Sequence, residues 1–215
     1  MHDLSIEKGI FAQGATLLGA IDEAGRGPLA GPVAAACVVC GPNFNVKDKT
    51  LERINDSKKV SAKEREKLYD IIFEKFADIG VGICGHDTID RINILQATFL
   101  AMKKAVGSLK AKPNFIILDG KFNIPNLSIQ QKAIIRGDSL SFSIAAASII
   151  AKVSRDRIMR KMHIQYPQYG FDQHKGYGTK LHFKMLEEYG PCAVHRKSFA
   201  PIKKMINSRT TLVNA

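Results

Sequence analysis

Residues 17–40 have the sequence LLGAIDEAGRGPLAGPVAAACVVC, and this stretch decides the fold. Its first apolar run, residues 17–22, predicts a buried strand that ends at an Asp-Glu pair. The sequence Gly-Arg-Gly-Pro at 25–28 then predicts a break, because glycine and proline interrupt strands. Residues 32–40 form a second apolar run and predict a second buried strand. Two carboxyl groups therefore lie beside a glycine-rich turn between two core strands.

Predicted strands and helices alternate along the rest of the chain. Ser61 and Glu64 have the spacing of a capping box, which predicts the start of a helix whose apolar face includes Leu68 and Ile72. The sequence predicts further helices over about 92–109 and 143–163, and strands over 81–84, 115–119 and 132–135. This order predicts an α/β fold with helical material at the C-terminus.

The composition is that of a globular protein, with 45% hydrophobic and 24% charged residues in a chain of 215. It excludes wholesale disorder and fibrous structure. No apolar run approaches the length of a membrane span, and the N-terminus lacks a signal-peptide pattern, so we expect a cytoplasmic protein. The length favours one domain over residues 1–215.

The formal net charge of +12 is concentrated near the C-terminus. Residues 152–215 hold 13 basic and 4 acidic residues, a net of +9, whereas residues 1–151 have a net of +3. We expect a core over about 16–178 and a basic helical part over about 179–215, in which Phe199, Ile202 and Ile206 recur at helical spacing. The charge favours a polyanionic partner, although a solubilising surface would have the same total.

The four cysteines predict buried, reduced thiols rather than a metal or redox site. Cys37 and Cys40 form a C-x-x-C, but they lie inside an apolar run. No second pair and no spaced Cys/His cluster completes a zinc site. A redox role is the weaker alternative.

Acidic residues follow several of the predicted strands. Asp22 and Glu23 end one strand, Asp119 ends another, and Asp138 follows a third through Gly137. Any one of them could simply cap a strand or start a turn. Together they favour a site at the strand ends, where oxygen ligands select Mg²⁺ or Mn²⁺. Acidic metal ligands on a basic protein fit phosphodiester chemistry, and no phosphate-binding loop of the Walker type suggests an NTPase.

With these and other motifs in order, the chain closely resembles the ribonuclease HII family, the type 2 branch of the ribonuclease H enzymes. The first motif is long and specific, the resemblance covers roughly residues 16–200, and no expected catalytic position departs from the family pattern. The matching segments are GAIDEAGRGPLAGP at 19–32, NDSKK at 55–59, LDG at 118–120, GDS at 137–139, AASIIAKVSRD at 146–156 and HKGYGT at 174–179.

The resemblance implies a ribonuclease H-like fold, with a five-stranded mixed sheet flanked by helices and a helical C-terminal extension. It implies an endonuclease that hydrolyses the RNA strand of RNA–DNA hybrids and nicks 5′ of ribonucleotides embedded in duplex DNA, with roles in ribonucleotide repair and primer removal. Water activated by Mg²⁺ or Mn²⁺, with two ions during catalysis, would leave 3′-hydroxyl and 5′-phosphate ends. We expect a monomer without an obligate protein partner. The implied catalytic and metal-binding residues are Asp22, Glu23, Asp119 and Asp138.

The resemblance also assigns recognition of the 2′-hydroxyl to the backbone of Gly25, Arg26 and Gly27 and to Tyr177. Alone, these residues would more often form a plain turn and a surface aromatic. Asp156 is the main rival to Asp138 as the fourth acid, although an ion pair with Lys152 is the favoured interpretation. The predicted phosphate contacts are Ser148, Lys152 and Arg155 on one helix face, Ser57, Lys58 and Lys59 before the capping box, and His174 and Lys175. For the helix face, a solvated surface is about equally compatible with the spacing.

Two alternative functions fit the sequence less well. The related ribonuclease HIII enzymes carry an extra N-terminal substrate-binding domain and typically Glu as the fourth acid. Here the first core strand begins by about residue 17, and the fourth position is Asp138. A non-catalytic nucleic-acid-binding module is disfavoured because unneutralised carboxylates facing a phosphate backbone would weaken binding.

Overall fold

The computed structural model of the protein describes residues 4–44, 51, 53–54 and 60–213, with side chains through residue 208. Within these residues, five strands form one sheet in the order β3-β2-β1-β4-β5. β2 pairs antiparallel with β1 and with β3, whereas β4 pairs parallel with β1 and with β5. The strands are β1 Leu18–Ala24, β2 Val33–Cys40, β3 Asp78–Cys84, β4 Phe115–Asp119 and β5 Gln130–Ile134. The predicted five-stranded mixed sheet is confirmed.

Helices cover both faces of this sheet and extend the C-terminal part of the chain. Their bounds are α1 Ser5–Ala12, α2 Ala62–Lys75, α3 His86–Gly107, α4 Phe142–Gln165, α5 Phe171–His174, α6 Lys180–Tyr189 and α7 Ala200–Val213. In the described part of the chain, no helix is both long and apolar enough to cross a membrane.

Two apolar layers fill the space between the sheet and its helices. Side chains alternate along a strand, so Ala36 and Val38 of β2 face α4 while Cys37 and Val39 face α3. Because both faces are covered, β2 is buried along its whole length, and its uninterrupted apolar run has this cause. The described cysteine thiols are free, and Cys37, Cys40 and Cys84 are buried, as the sequence predicts, whereas Cys192 is only partly buried.

The structure adds α1, which the sequence did not predict, and among the predicted elements β3 and α3 differ most at their starts. β3 begins at Asp78 rather than at 81, because Gly80 and Gly82 obscure the strand pattern. A Cβ at either glycine would lie 2.0 Å from a backbone carbonyl of α3, so the glycines allow α3 to pack directly on the strand. α3 begins at His86, ahead of the predicted 92, with a kink at Asn93, whose φ is 64°. The Asn93 side chain caps the second half of the helix by accepting from the amide of Leu95 at 3.0 Å.

α5, α6 and α7 share a third apolar cluster with the turn that follows β1. Leu29 and Ala30 of that turn pack with Met159 of α4, Phe171 of α5 and Ile202 of α7. Ile202 is fully buried, which confirms that the basic C-terminal segment contains a packed helix. The C-terminal part therefore contacts the turn that follows the acidic pair.

Candidate active site

The parallel pairing of β1 with β4 brings their acidic ends to the same edge of the sheet. Ile21 lies opposite Leu118 in the register, so Asp22 and Asp119 follow at equivalent positions. Asp22 is only 5% exposed, and its Oδ1 accepts from the amide of Glu23 at 2.7 Å. Burial, reinforced by the charges of Glu23 and Asp119, raises the pKa of Asp22 well above its usual range, against a hydrogen bond with Ser148.

Glu23 has one satisfied and one unsatisfied carboxylate oxygen. Its Oε1 accepts from Arg26 Nη1 at 3.1 Å, while its Oε2 is buried and has no hydrogen-bond partner among the described residues. Burial raises the pKa of Glu23, Arg26 opposes that rise, and Asp119 adds to it. A buried carboxylate oxygen without a partner is costly, so this position favours a cationic ligand.

Asp119 is held by the turn that carries Asp138. The amide of Gly137 donates to Asp119 Oδ1 at 2.6 Å, and residues Gly137–Ser139 form a single 3₁₀ turn. Asp138 Oδ1 accepts from the Ser139 hydroxyl at 3.3 Å. Asp22, Glu23 and Asp119 therefore interact electrostatically, and Asp138 is placed beside Asp119 through Gly137.

The donor chemistry of these residues fits hard divalent cations. All the donors are carboxylate oxygens, and their mutual repulsion in a buried setting is relieved by positive charge. Among the described residues, no three His, Cys, Asp or Glu side chains are already gathered around one ion position. Arg26 and the Gly137 amide instead hold one oxygen of Glu23 and one of Asp119, whereas Glu23 Oε2 has no partner among the described residues.

A cavity of about 530 Å³ opens beside the acids. It gathers seven of the predicted site residues, from β1, the following turn, α4 and the loop before α6. These are Glu23, Gly25, Arg26, Gly27, Ser148, Lys152 and Tyr177. The Glu23 carboxylate, a glycine-rich backbone and a lysine thus share one surface.

Comparisons with known proteins bear on the family and the fold of this chain. The sequence profile of the family "Ribonuclease HII" matches residues 18–202. A ribonuclease HII of Clostridioides difficile (strain 630) is 51% identical over 189 residues, which cover 88% of this chain and 72% of the relative. The chain belongs to the ribonuclease HII family. It is therefore an endoribonuclease of the type 2 ribonuclease H class.

Solved structures of related ribonucleases share the fold of this ribonuclease HII chain. The ribonuclease H2 from Pyrococcus horikoshii OT3 is 26% identical, with a TM-score of 0.73 over 90% of this chain and 98% of its own. Bst-RNase HIII in complex with Mn²⁺ is 18% identical, with a TM-score of 0.68 over 92% of this chain and 71% of its own. The second similarity concerns the fold alone.

Arg155 differs from the predicted phosphate contact. Ser148 and Lys152 line the cavity, but Arg155 is fully buried, and its Nε donates to the carbonyl of Pro32 at 2.9 Å. α4 turns this residue toward the segment that follows β1, so its guanidinium is not available to a surface phosphate. The helical spacing places Ser148, Lys152 and Arg155 on one side of α4, but spacing alone does not show how deeply each side chain is buried.

His174 is also an internal residue rather than a surface contact. Its Nε2 lies 2.7 Å from the carbonyl of Tyr169, and its Nδ1 accepts from the amide of Gly176 at 3.1 Å. Lys175 is partly buried and donates to the carbonyl of Asp172. The motif HKGYGT therefore shapes the loop that presents Tyr177, whose side chain is 43% exposed.

Other predicted residues have partners that explain them. Lys152 Nζ lies 2.7 Å from Asp156 Oδ1, in agreement with the ion pair favoured for Asp156. Ser57, Lys58 and Lys59 lie outside the described residues.

Sequence reasoning missed Arg65, which lines the cavity and donates to the carbonyl of Val60 at 2.7 Å. Its position one turn into the capped helix α2 was the only available indication.

Two buried histidines, His182 and His195, form a series of hydrogen bonds that ends on the carbonyl of Tyr177. These hydrogen bonds fix the tautomer of each imidazole. His195 Nδ1 accepts from the amide of Cys192 at 2.9 Å, so its Nε2 carries the proton and donates to His182 Nε2 at 3.0 Å. His182 Nδ1 then donates to the carbonyl of Tyr177 at 2.9 Å. Burial lowers the pKa of His182 to about 4, and burial together with His182 lowers that of His195 to about 4. Both imidazoles are neutral in the folded ribonuclease.

We expect acid to destabilise this ribonuclease HII through these two histidines. An unfolded histidine has a pKa of about 6.5, so between pH 6.5 and 4 the unfolded state binds more protons than the folded state. The free energy of unfolding should therefore be highest above pH 6.5 and should fall as the pH decreases toward 4. At pH 5 the loss should be on the order of 2 kcal/mol for each imidazole. Urea unfolding at pH 7.5 and pH 5 measures this loss.

The control is the variant His182→Asn, which can still donate to the Tyr177 carbonyl without a titrating group. Its unfolding free energy should depend less steeply on pH than that of the wild type, whatever its value at pH 7.5. Equal pH slopes for the two proteins would contradict the assignment.

Proposed function

We propose that this chain hydrolyses the RNA strand of RNA–DNA hybrids and nicks duplex DNA on the 5′ side of embedded ribonucleotides, with Mg²⁺ or Mn²⁺ as cofactor. The observation that carries the proposal is the set of desolvated carboxylates at the ends of β1 and β4 beside a glycine-rich cavity. The charges of Glu23 and Asp119 raise the pKa of Asp22, and the charge of Asp119 raises the pKa of Glu23, so positive charge beside them is favourable. Family membership makes a ribonuclease reaction the natural use of that arrangement.

The four acids are proposed to hold the divalent ions. Asp22, Glu23 and Asp119 supply carboxylates from the sheet edge, and the turn after β5 supplies Asp138. When bound, two such ions would activate a water molecule and stabilise the leaving oxygen. Cleavage would then leave 3′-hydroxyl and 5′-phosphate ends. Bst-RNase HIII, which shares the fold, has itself been solved in complex with Mn²⁺.

The cavity is proposed to distinguish ribose from deoxyribose. Gly27 lies across from Tyr177, since a Cβ at Gly27 would be 3.8 Å from Tyr177 Cε1. Backbone groups of residues 25–27 can therefore approach a 2′-hydroxyl closely, while the Tyr177 ring packs against the neighbouring sugar. This hydroxyl is the group that separates RNA from DNA at one position.

Cationic and polar residues around the cavity are proposed to hold the phosphate backbone. Ser148 and Lys152 line it from α4, and Arg65 lines it from α2. The family resemblance adds Ser57, Lys58 and Lys59, and also Lys175, whose charge interacts with that of Lys152. Such contacts position a duplex without selecting its sequence. We place the activity in the cytoplasm, in ribonucleotide repair and primer removal, carried out by a monomer.

Replacing a buried acid should abolish cleavage while leaving the fold intact. We expect Asp22→Asn or Asp119→Asn to lower the rate by at least about a thousandfold, because each removes a charged metal ligand. The measurement is nicking of a duplex with one ribonucleotide at saturating Mg²⁺, with circular dichroism to confirm folding. Asp87→Asn, an exposed acid at the start of α3, is the control and should remain active. Near-normal rates in either active-site variant would contradict the assignment.

The Tyr177 ring should matter most where a ribonucleotide meets DNA. We expect Tyr177→Ala to lower cleavage at a single embedded ribonucleotide about tenfold more than cleavage of a long hybrid, because a junction contact is lost. The matched control is Tyr189→Ala, an exposed tyrosine that does not line the cavity. If the ratio of the two rates stays at the wild-type value, Tyr177 has no junction-specific role.

A further inference from the structure

The guanidinium of Arg196 donates hydrogen bonds to backbone carbonyls of one short segment, residues 25–32. Its Nε donates to Gly31 O at 2.9 Å, its Nη1 to Arg26 O at 2.9 Å, and its Nη2 to Gly25 O at 2.6 Å and Pro32 O at 3.1 Å. The side chain is fully buried, and no described carboxylate forms an ion pair with it. A buried guanidinium that donates its hydrogen bonds to several backbone carbonyls specifies the conformation of that backbone.

Arg155 holds the same segment from the opposite element. It comes from α4, and its guanidinium donates to Pro32 O at 2.9 Å and Ala30 O at 3.3 Å. A Cβ at Gly25 would lie 2.0 Å from Arg155 Nε, so Arg155 packs directly on that glycine. The guanidinium carbon also lies 5.8 Å from the centroid of the Tyr177 ring. The two arginines thus contact both parts of the proposed ribose site from behind.

The carbonyl contacts determine where the amides of this segment point. In a trans peptide the C=O and the following N–H point in opposite directions, and the described chain has no cis peptide. Because Arg196 holds the carbonyls of Gly25 and Arg26 inward, the amides of Arg26 and Gly27 point away from it. Residues 25–27 line the cavity, and no described residue accepts a hydrogen bond from these two amides.

We propose that Arg196 and Arg155 are positioning residues for ribonucleotide recognition, which fix the turn so that the amides of Arg26 and Gly27 face the 2′-hydroxyl. The proposal rests on the proposed function. It assigns a role in selectivity to two cations that cannot contact the substrate themselves. It also gives a use to hydrogen bonds that join the glycine-rich turn to arginines more than a hundred residues away.

The test compares binding of two duplexes that differ by one hydroxyl. Fluorescence anisotropy in EDTA, which prevents metal-dependent cleavage, gives Kd for a duplex with one ribonucleotide and for the all-deoxy duplex of the same sequence. For Arg196→Lys and Arg155→Lys we expect the preference for the ribonucleotide to fall toward one, by about tenfold, the equivalent of one ordered hydrogen bond. Arg91→Lys, on the exposed surface of α3, is the control and should keep the wild-type preference.

The ratio of the two Kd values separates positioning from stability, since a smaller folded fraction weakens both by the same factor. An unchanged ratio in folded Arg196→Lys or Arg155→Lys overturns the inference. If neither variant folds, ¹⁵N spectra of the wild type decide instead. The Arg26 and Gly27 amides should shift with the ribonucleotide duplex and not with the all-deoxy duplex, and equal shifts overturn the inference. A wild type that does not cleave the ribonucleotide duplex would contradict the proposed function instead.

Discussion

Asp22 is a carboxyl group buried beside two other carboxyl groups, and the surrounding structure is arranged around that unfavourable placement. The parallel pairing of β1 with β4 forces the placement, because it sets two acidic strand ends at one edge. Burial and like charge together favour a cation at this edge, and Glu23 Oε2, which has no partner among the described residues, marks where positive charge is missing. The chemistry proposed for the protein follows from that electrostatic imbalance more directly than from any single residue.

The C-terminal part has a structural task as well as an electrostatic one. The net charge of +9 after residue 151 suggests a surface that holds nucleic acid. The structure buries two of those cations, Arg155 and Arg196, against the turn that follows the acidic strand. Arg157 and Arg160 pair with Glu66 on α2. The basic segment therefore supports the turn behind the substrate cavity, and several of its described cations already have partners within the protein.

Sequence patterns predicted the elements whose signature is local. The buried run of β2, the Ser61 cap of α2 and the packed helix around Ile202 all follow from spacing that the sequence displays. Patterns failed where burial depends on distant segments. Arg155 is buried against the turn after β1, and His174 is buried against the Tyr169 carbonyl. The residues that flank them in the sequence do not indicate this burial.

The same limit applies to the acids of the site. The sequence could show that several acids follow apolar strands, but their proximity depends on the order of strands in the sheet. The family resemblance implied a five-stranded mixed sheet, which the structure confirms, and the structure adds the order of its strands. Arg65 was missed because its neighbours indicate only a helix start, whereas its place at the cavity depends on how α2 packs against α4.

Calorimetric titration with Mn²⁺ in the absence of nucleic acid tests most directly whether the buried carboxylates form a metal site. We predict that the wild type binds Mn²⁺ and that Asp22→Asn and Glu23→Gln, both folded, bind it about tenfold more weakly or worse, because each loses a charged ligand. Asp87→Asn should bind as the wild type does. Equal Mn²⁺ affinity in the wild type and in both active-site variants would contradict the account.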